Sequence, residues 1–324
     1  MDDSVLKVEN LSIGIHKDRQ IFKAVDNISF EIRRGEILGI VGESGCGKSV
    51  TALSIQDLLA DGVSVTDGKL LFHGKDLLSM SAEEKRNIYG KDISMIYQEP
   101  MTSLNPLIKI GKQVGEVLRL HSKKNPKEIQ EEVLRVLTEV GLPDPVKSMN
   151  SYPHQLSGGM RQRVMIAMAI ICNPQLLIAD EPTTALDVTT QAQVLNLIKR
   201  INKESNTSIL FISHDLGVIN RLCDRVIVMY AGKIVEMGAT SDILSDPIHE
   251  YTKGLIHSIP TRKQKGADLK CIKGKVPSVT EEKPACPFAA RCEKAIDLCY
   301  AKAPSELQWS DGHVVWCHKV NVGS

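Results

Sequence analysis

The residues 42–49, GESGCGKS, have the composition and spacing of a loop that binds phosphate. Glycines let backbone N–H groups surround an anion, and a helix that begins there adds its positive end. The pattern predicts that Lys48 reaches the terminal phosphates of a nucleotide and that the Ser49 hydroxyl ligates Mg²⁺. The expected nucleotide-binding residues are Gly42, Glu43, Ser44, Gly45, Cys46, Gly47, Lys48 and Ser49. The alternative is a glycine turn that only joins a strand to a helix.

Two adjacent carboxylates, Asp180 and Glu181, end the apolar stretch at residues 176–181. By itself this pattern is weak, because buried strands are often followed by acidic residues. A phosphate loop in the same chain strengthens it, since a nucleotide-bound Mg²⁺ requires oxygen ligands from the protein. We therefore expect Asp180 to hold Mg²⁺ and Glu181 to polarise the attacking water.

The elements that must position these groups are apolar strands separated by helices. The continuous apolar runs at residues 36–42, 176–180, 208–213 and 225–230 are typical of buried parallel strands. Between residues 188 and 204, the apolar side chains recur on one helical face. Strands that alternate with helices predict an α/β fold. From Pro106 to Asn173 helical periodicity without strand signals predicts an inserted helical subdomain.

Composition excludes some classes of protein. The 324 residues carry 40 basic and 39 acidic side chains, a net charge of +1, which argues against a protein that coats nucleic acid. The longest apolar run, residues 164–172, is too short to cross a bilayer. The acidic start, MDDSVLKVEN, lacks the features of a secretory signal, so we expect a cytosolic chain.

The cysteines concentrate near the C-terminus, after a polar linker that begins at about residue 261. In a reducing compartment, clustered cysteines are more often metal ligands than disulfides. Four thiolates suit either an iron–sulfur cluster or zinc, and plain reduced thiols are the third alternative. The expected ligands are Cys286, Cys292, Cys299 and Cys317, with Cys271 and His318 as competitors.

The stretch LSGGMRQR at residues 156–163 resembles the signature of ATP-binding-cassette (ABC) ATPases. The resemblance implies a P-loop NTPase fold: a RecA-like parallel sheet core, an N-terminal antiparallel β-subdomain and an inserted helical subdomain at about residues 100–173. These parts form a nucleotide-binding domain at residues 1–260. Residues 261–324 form a small Cys-rich C-terminal extension.

The same resemblance implies roles for further residues. The start of the signature helix contacts the γ-phosphate of a nucleotide held by a second subunit, through Ser157, Gly158 and Gly159. Gln98 touches Mg²⁺ or the lytic water, Asp187 organises the subunit interface, and His214 contacts the γ-phosphate. Family members also stack an aromatic side chain on adenine, for which the candidates are Ile15, His16 and Phe22.

The stretches at residues 98–106 and 179–193 look like the D-type ATPase subunit of oligopeptide and dipeptide permeases, and the Cys-bearing tail resembles an extension in which some members bind a [4Fe-4S] cluster. This branch implies an ATPase that powers peptide import from the cytoplasmic face of the membrane. Its expected partners are a homologous F-type ATPase subunit in a heterodimer, two transmembrane permease subunits and, indirectly, an extracytoplasmic peptide-binding protein, with no nucleic acid. The alternatives are an importer of nickel or other metal chelates and a soluble ABC ATPase outside transport.

Overall fold

The computed structural model describes residues 3–98, 103–184, 186–258 and 272–322. The strands are β1 (Ser4–Lys17), β2 (Gln20–Arg33), β3 (Ile37–Val41), β4 (Val63–Phe72), β5 (Lys75–Asp76), β6 (Ile93–Ile96), β7 (Leu176–Asp180), β8 (Ser208–Ser213), β9 (Arg225–Tyr230), β10 (Lys233–Ala239), β11 (Leu307–Ser310) and β12 (His313–Val315). The α-helices are α1 (Lys48–Ile55), α2 (Ala82–Ile88), α3 (Ile110–Val114), α4 (Glu116–His121), α5 (Pro126–Glu139), α6 (Pro145–Asn150), α7 (Gly158–Ile170), α8 (Val188–Ser205), α9 (Leu216–Leu222), α10 (Thr240–Ser245), α11 (Glu250–His257) and α12 (Asp297–Ala301).

The chain divides into two compact units. The carboxylate unit comprises residues 1–6, 32–36 and 72–210, and the loop unit comprises residues 7–31, 37–71 and 211–324. The chain passes between the units at several points, which include positions within β1, β2, β4 and β8. The predicted boundary between a nucleotide-binding domain and an extension, at residues 260 and 261, lies outside the described residues.

The loop unit contains a sheet in which β11, β12, β10, β9, β3 and β8 follow one another. Strand β3 runs parallel to β9, and β10 pairs antiparallel with β9. All five residues of β3 are buried, as expected for a parallel strand covered on both faces. A second sheet places β2 beside β1 and β1 beside β4. Strands β1 and β2 are each 14 residues long.

In the carboxylate unit, β8 lies beside β7 and β7 lies beside β6, with β6 parallel to β7.

The start of helix α5 is stabilised by a capping box. Asn125 Oδ1 accepts hydrogen bonds from the Lys127 and Glu128 N–H groups, the Glu128 carboxylate accepts one from the Asn125 N–H, and Pro126 occupies the first helical position. Its apolar residues face inward, with Ile129, Val133, Val136 and Leu137 buried. The helices α3 to α7 lie within residues 106–173, where the sequence predicts helices without strands.

The strands predicted at residues 36–42, 176–180, 208–213 and 225–230 are confirmed as β3, β7, β8 and β9. The tail adds strands that the sequence did not indicate. Strand β12 pairs antiparallel with β10, opposing Val315 to Glu236, and the Trp316 N–H donates to the Val235 carbonyl at 2.9 Å. Residues 307–315 therefore extend the sheet of the loop unit. Among the described helices, we find none with the length and apolarity that a bilayer crossing needs.

Candidate nucleotide site

The phosphate loop follows β3 and leads directly into α1, in the order that the sequence predicts. Lys48 is buried, and its Nζ donates to the Gly42 carbonyl at 2.8 Å and to the Glu43 carbonyl at 3.2 Å. Its ammonium therefore lies back over the start of the loop. Gly47 has a φ of 104°, and an added Cβ would lie 3.0 Å from the Ala24 carbonyl oxygen. This left-handed conformation and the close backbone explain why glycine occupies the position.

Glu43 is held at three points by residues far away in the sequence. Its N–H donates to the Tyr251 hydroxyl at 2.9 Å, and its carboxylate accepts two hydrogen bonds from Arg291 at 2.7 and 3.1 Å. These partners lie 208 and 248 positions further along the chain. Sequence reasoning missed both, because no periodicity or motif connects residues so distant. Tyr251 belongs to a cluster with Tyr230 and Phe288 in the same unit, and only the fold reveals this cluster.

Glu181, in the carboxylate unit, is half-buried directly after β7. Its Oε2 accepts from Gln98 Nε2 at 3.3 Å and from Thr184 Oγ1 at 3.0 Å. Asp180 is the last residue of β7 and is buried. The structure thus brings Gln98 and Glu181 together, although they are 83 positions apart. Gln98 and Thr184 thus orient the Glu181 carboxylate, which the sequence predicts to activate water.

The signature residues begin α7. Ser157 is its N-cap, and its Oγ accepts from the Met160 N–H at 3.3 Å. Asp187 caps α8 in the same way: one carboxylate oxygen accepts from two backbone N–H groups at 3.0 Å, and the other accepts from Thr190 Oγ1 at 2.6 Å. The hydrogen bonds from Thr190 lower the pKa of Asp187. Both predicted site residues therefore start helices of the carboxylate unit.

Helices α7 and α8 meet at their first turns. A Cβ added at Gly159 would lie 2.9 Å from Thr190 Cγ2, whereas one at Gly158 would meet nothing within 4 Å. One turn further, Arg163 donates to the Val140 carbonyl and, at 2.8 Å, to Gln193 Oε1. The signature helix is thus joined to the helix that follows Asp187 and to the end of α5. Sequence reasoning missed Thr190 and Arg163.

The remaining sequence candidates lie in the loop unit. His214 is exposed, directly after β8. Of the adenine candidates, Ile15 and His16 lie in β1 and Phe22 lies in β2. His16 Nε2 is 2.8 Å from Ser64 Oγ. None of these contacts selects one of the three as the residue that stacks on adenine.

The four tail cysteines, Cys286, Cys292, Cys299 and Cys317, line one small cavity of about 20 Å³. The Cys286 N–H donates to the Cys299 carbonyl at 2.8 Å. Burial raises the pKa of Cys286 to about 11 and raises the pKa of Cys292 and of Cys317.

The donor chemistry of these cysteines suits a metal, but their arrangement does not. Nowhere in the described parts of the chain do three or more His, Cys, Asp or Glu side chains form a group that could hold a metal ion. The iron–sulfur expectation is therefore unsupported by the structure. Of the competing ligands, His318 Nε2 is bonded to the Lys302 carbonyl at 2.7 Å, and Cys271 lies outside the described residues.

Two families of known proteins match this chain. Residues 25–184 match the family described as ABC transporter, and residues 235–299 match the family described as oligopeptide/dipeptide transporter, C-terminal region. The dipeptide transport ATP-binding protein DppD of Bacillus subtilis is 50% identical over 97% of this chain and 94% of its own length. The oligopeptide transport ATP-binding protein OppD of Salmonella typhimurium is 44% identical over 97% of this chain and 93% of its own length.

Solved structures share the fold. A dimeric structure of MJ0796, a bacterial ABC transporter cassette, aligns with a TM-score of 0.65 and 28% identity, over 72% of this chain and 98% of that one. CbiO1 of Clostridium perfringens, part of an ABC transporter complex, aligns with a TM-score of 0.64 and 27% identity, over 76% and 92%. The fold is therefore the α/β P-loop ATPase cassette.

One expectation about partners needs correction. The sequence reasoning named a heterodimer with an F-type ATPase subunit, and that partner is wrong. What the solved relatives show is a dimer of ABC cassettes, including a post-hydrolysis state of MJ0796 bound to ADP and phosphate. The F-type label came from the resemblance and is more specific than a dimer of cassettes requires.

Proposed function

Because this chain belongs to the ATP-binding subunits of oligopeptide and dipeptide ABC transporters, we propose that it binds and hydrolyses ATP at the cytoplasmic face of a membrane to power peptide import. The observation that carries the proposal is the phosphate loop, with buried Lys48 at the start of α1. The loop combines backbone N–H groups, a helix N-terminus and a cation, which together suit a triphosphate.

The following roles are proposed for the predicted site residues. Residues 42–49 bind the phosphates, Ser49 ligates Mg²⁺ and His214 contacts the γ-phosphate. Asp180 holds Mg²⁺, Gln98 touches Mg²⁺ or the lytic water, and Glu181 is the general base. The hydrogen bonds from Gln98 and Thr184 support this role for Glu181, because they fix the carboxylate that must accept a proton.

The signature serves a second cassette in this proposal. Ser157, Gly158 and Gly159 present the N-terminus of α7 to a nucleotide on the other subunit, and Asp187 lies at the interface between the subunits. ATP then joins two cassettes, and hydrolysis releases them. Two transmembrane permease subunits convert this cycle into transport, and an extracytoplasmic binding protein delivers the peptide. The exposed ends of α7 and α8 support an interface role.

Lys48→Ala tests nucleotide binding directly. Removing the ammonium leaves the terminal phosphates without their cation, so we expect the Kd for MgATP to rise at least tenfold. Isothermal titration calorimetry on the full chain measures this, with the exposed Lys203→Ala as the control for loss of one positive charge. Equal affinities of the two variants would remove Lys48, and the loop with it, from the nucleotide site.

Glu181→Gln separates binding from chemistry. The amide keeps the shape of the side chain but cannot accept the proton of the attacking water. We expect unchanged MgATP affinity and phosphate release slowed by a factor of about 100 or more. Phosphate release by the assembled transporter is the measurement, and undiminished turnover would exclude Glu181 as the base.

A [4Fe-4S] cluster on Cys286, Cys292, Cys299 and Cys317 remains a separate proposal, with zinc as its alternative. It rests on the ligand chemistry of four cysteines that line one cavity, although the structure does not arrange them as a metal site, and no step of ATP hydrolysis depends on it. Anaerobic purification followed by iron, sulfide and zinc determination decides between them. Iron with equimolar sulfide supports the cluster, zinc without sulfide supports the alternative, and neither metal leaves plain thiols.

A further inference from the structure

The geometry points to Arg291 as a positioning residue for the phosphate loop: through its paired hydrogen bonds to Glu43, the C-terminal tail holds the second residue of the loop and neutralises its charge. This inference rests on the proposed function, because it concerns affinity for the nucleotide that the loop binds. It assigns to residues 272–322 a role at the ATP site that requires no metal.

The Arg291 side chain is almost fully enclosed, with 6% of its surface exposed, against 32% for Glu43. The N–H groups of its guanidinium donate to acceptors within the loop unit. Two hydrogen bonds go to the two carboxylate oxygens of Glu43, and Nε donates to the Lys273 carbonyl at 2.9 Å. Weaker contacts reach the Tyr230 hydroxyl at 3.3 Å and the Ile272 carbonyl at 3.4 Å. Such a fork fixes both the distance and the plane of the carboxylate.

Aromatic packing fixes the tail close to the Arg291–Glu43 pair. Phe288, three positions before Arg291, lies 5.2 Å from the Tyr230 ring and 5.3 Å from the Tyr251 ring, measured between centroids. Tyr251 is the residue whose hydroxyl accepts from the Glu43 N–H. The backbone and the side chain of Glu43 are therefore both bonded to one packed cluster.

The Glu43 carbonyl connects this cluster to the nucleotide-binding groups. It accepts from Lys48 Nζ at 3.2 Å and from the Cys46 N–H at 3.3 Å. Displacing Glu43 consequently displaces acceptors of the lysine that meets the terminal phosphates. An unpaired Glu43 carboxylate would also repel the triphosphate, since like charges within a few ångströms of a partly buried site are poorly screened.

Both effects predict weaker nucleotide binding when Arg291 is removed. We expect Arg291→Ala to raise the Kd for MgATP about tenfold, or ~1.4 kcal/mol. The kcat at saturating ATP should change less than twofold. If Arg291 had only a structural role, its removal would lower the apparent kcat and leave the Kd for MgATP unchanged. Partial unfolding lowers the fraction of active protein but does not change the affinity of the folded remainder. Lys294→Ala is the matched control, since Lys294 belongs to the same tail but is exposed and pairs with Glu250 rather than with the phosphate loop.

The double variant Glu43→Gln with Arg291→Ala tests whether the two residues act as a pair. Without the carboxylate no uncompensated charge remains, so we expect it to bind MgATP no more weakly than Arg291→Ala alone. If Arg291→Ala does not fold, two single variants test whether the pair affects MgATP affinity. Arg291→Lys keeps the charge but loses the paired hydrogen bonds, and Glu43→Gln removes the carboxylate. Each of these two should raise the Kd at least threefold.

The inference is overturned if the folded Arg291 variants bind MgATP like the unmodified chain, or if the effects of Glu43→Gln and Arg291→Ala multiply in the double variant. The unmodified chain is titrated first. If it does not bind MgATP, the proposed function fails; if it binds and the variants match it, only the role of Arg291 fails.

Discussion

Glycine and threonine at the contact of α7 and α8 illustrate how single residues set the geometry of the proposed interface. Thr190 bonds Asp187 and at the same time packs on the Cα of Gly159. A side chain at residue 159 therefore cannot be added unless Thr190 or the start of α7 shifts. The neighbouring Gly158 has no such constraint. The two glycines look equivalent in the sequence and differ only in what lies next to them.

Gly159→Ala and Gly158→Ala should consequently have opposite effects on stability. Alanine favours a helix over glycine, so Gly158→Ala should leave the free energy of unfolding unchanged or raise it by up to ~0.5 kcal/mol. In Gly159→Ala, the new methyl group meets Thr190, and we expect a loss of about 1 kcal/mol or more. Urea titration of both variants measures the difference. Equal free energies of unfolding for the two variants would contradict a close contact between residue 159 and Thr190.

At the scale of elements, the start of α11 is organised by buried polar groups. The Glu236 carboxylate, on β10, accepts from the N–H groups of Ile248 and His249 at 2.7 and 3.0 Å and contacts His313 Nε2, on β12, at 2.8 Å. The ring of His249 is the N-cap, accepting from the Tyr251 N–H at 3.1 Å. One carboxylate thereby joins β10, β12 and α11, which positions Tyr251 under the phosphate loop.

His249 should make stability depend on pH. Burial lowers its pKa from 6.5 to about 4, although Glu250 opposes the shift. The folded state thus keeps His249 neutral while the unfolded state takes up a proton below pH 6.5. Its contribution is complete above pH 6.5 and is lost as the pH falls toward 4, by roughly 3 kcal/mol at most.

His249→Asn supplies the control for this prediction, because asparagine retains an N-cap acceptor but does not titrate. The free energy of unfolding, measured between pH 4 and 7.5, should fall more steeply at low pH for the unmodified chain than for the variant. Parallel curves would mean that His249 titrates normally in the folded protein.

At the scale of the whole molecule, we propose that this chain carries the parts of a composite nucleotide site. The phosphate loop belongs to the loop unit, and the signature at the start of α7 belongs to the carboxylate unit. Solved relatives of the same fold are dimeric cassettes. We propose that a second cassette completes each site in this protein as well.

MgATP should therefore stabilise a pair of cassettes when hydrolysis is blocked. In sedimentation velocity runs, we expect the Glu181→Gln chain to shift from one chain to two on addition of MgATP. Adding Ser157→Arg should abolish the shift, because a long cation then occupies the helix N-terminus that receives the γ-phosphate. Lys203→Ala in the same background should still pair. A dimer that ignores both ATP and residue 157 would contradict the composite site.

The sequence alone determined the local chemistry and most of the core. The phosphate loop, the strand that ends in Asp180 and the helix capped by Ser157 are encoded within short segments, because glycine spacing, apolar runs and capping act between near neighbours. It also carried the family resemblance that the comparisons bear out.

Tertiary structure decided which distant residues meet. The contacts of Glu43 with Tyr251 and Arg291, of Glu181 with Gln98 and of Gly159 with Thr190 join segments that no local pattern relates. The pairing of β12 with β10 is a further case, since the exposed residues of β11 and the short β12 carry little hydrophobic signal. Such contacts arise only when the core brings remote segments together, because packing and hydrogen bonding depend on distance in space and not along the chain.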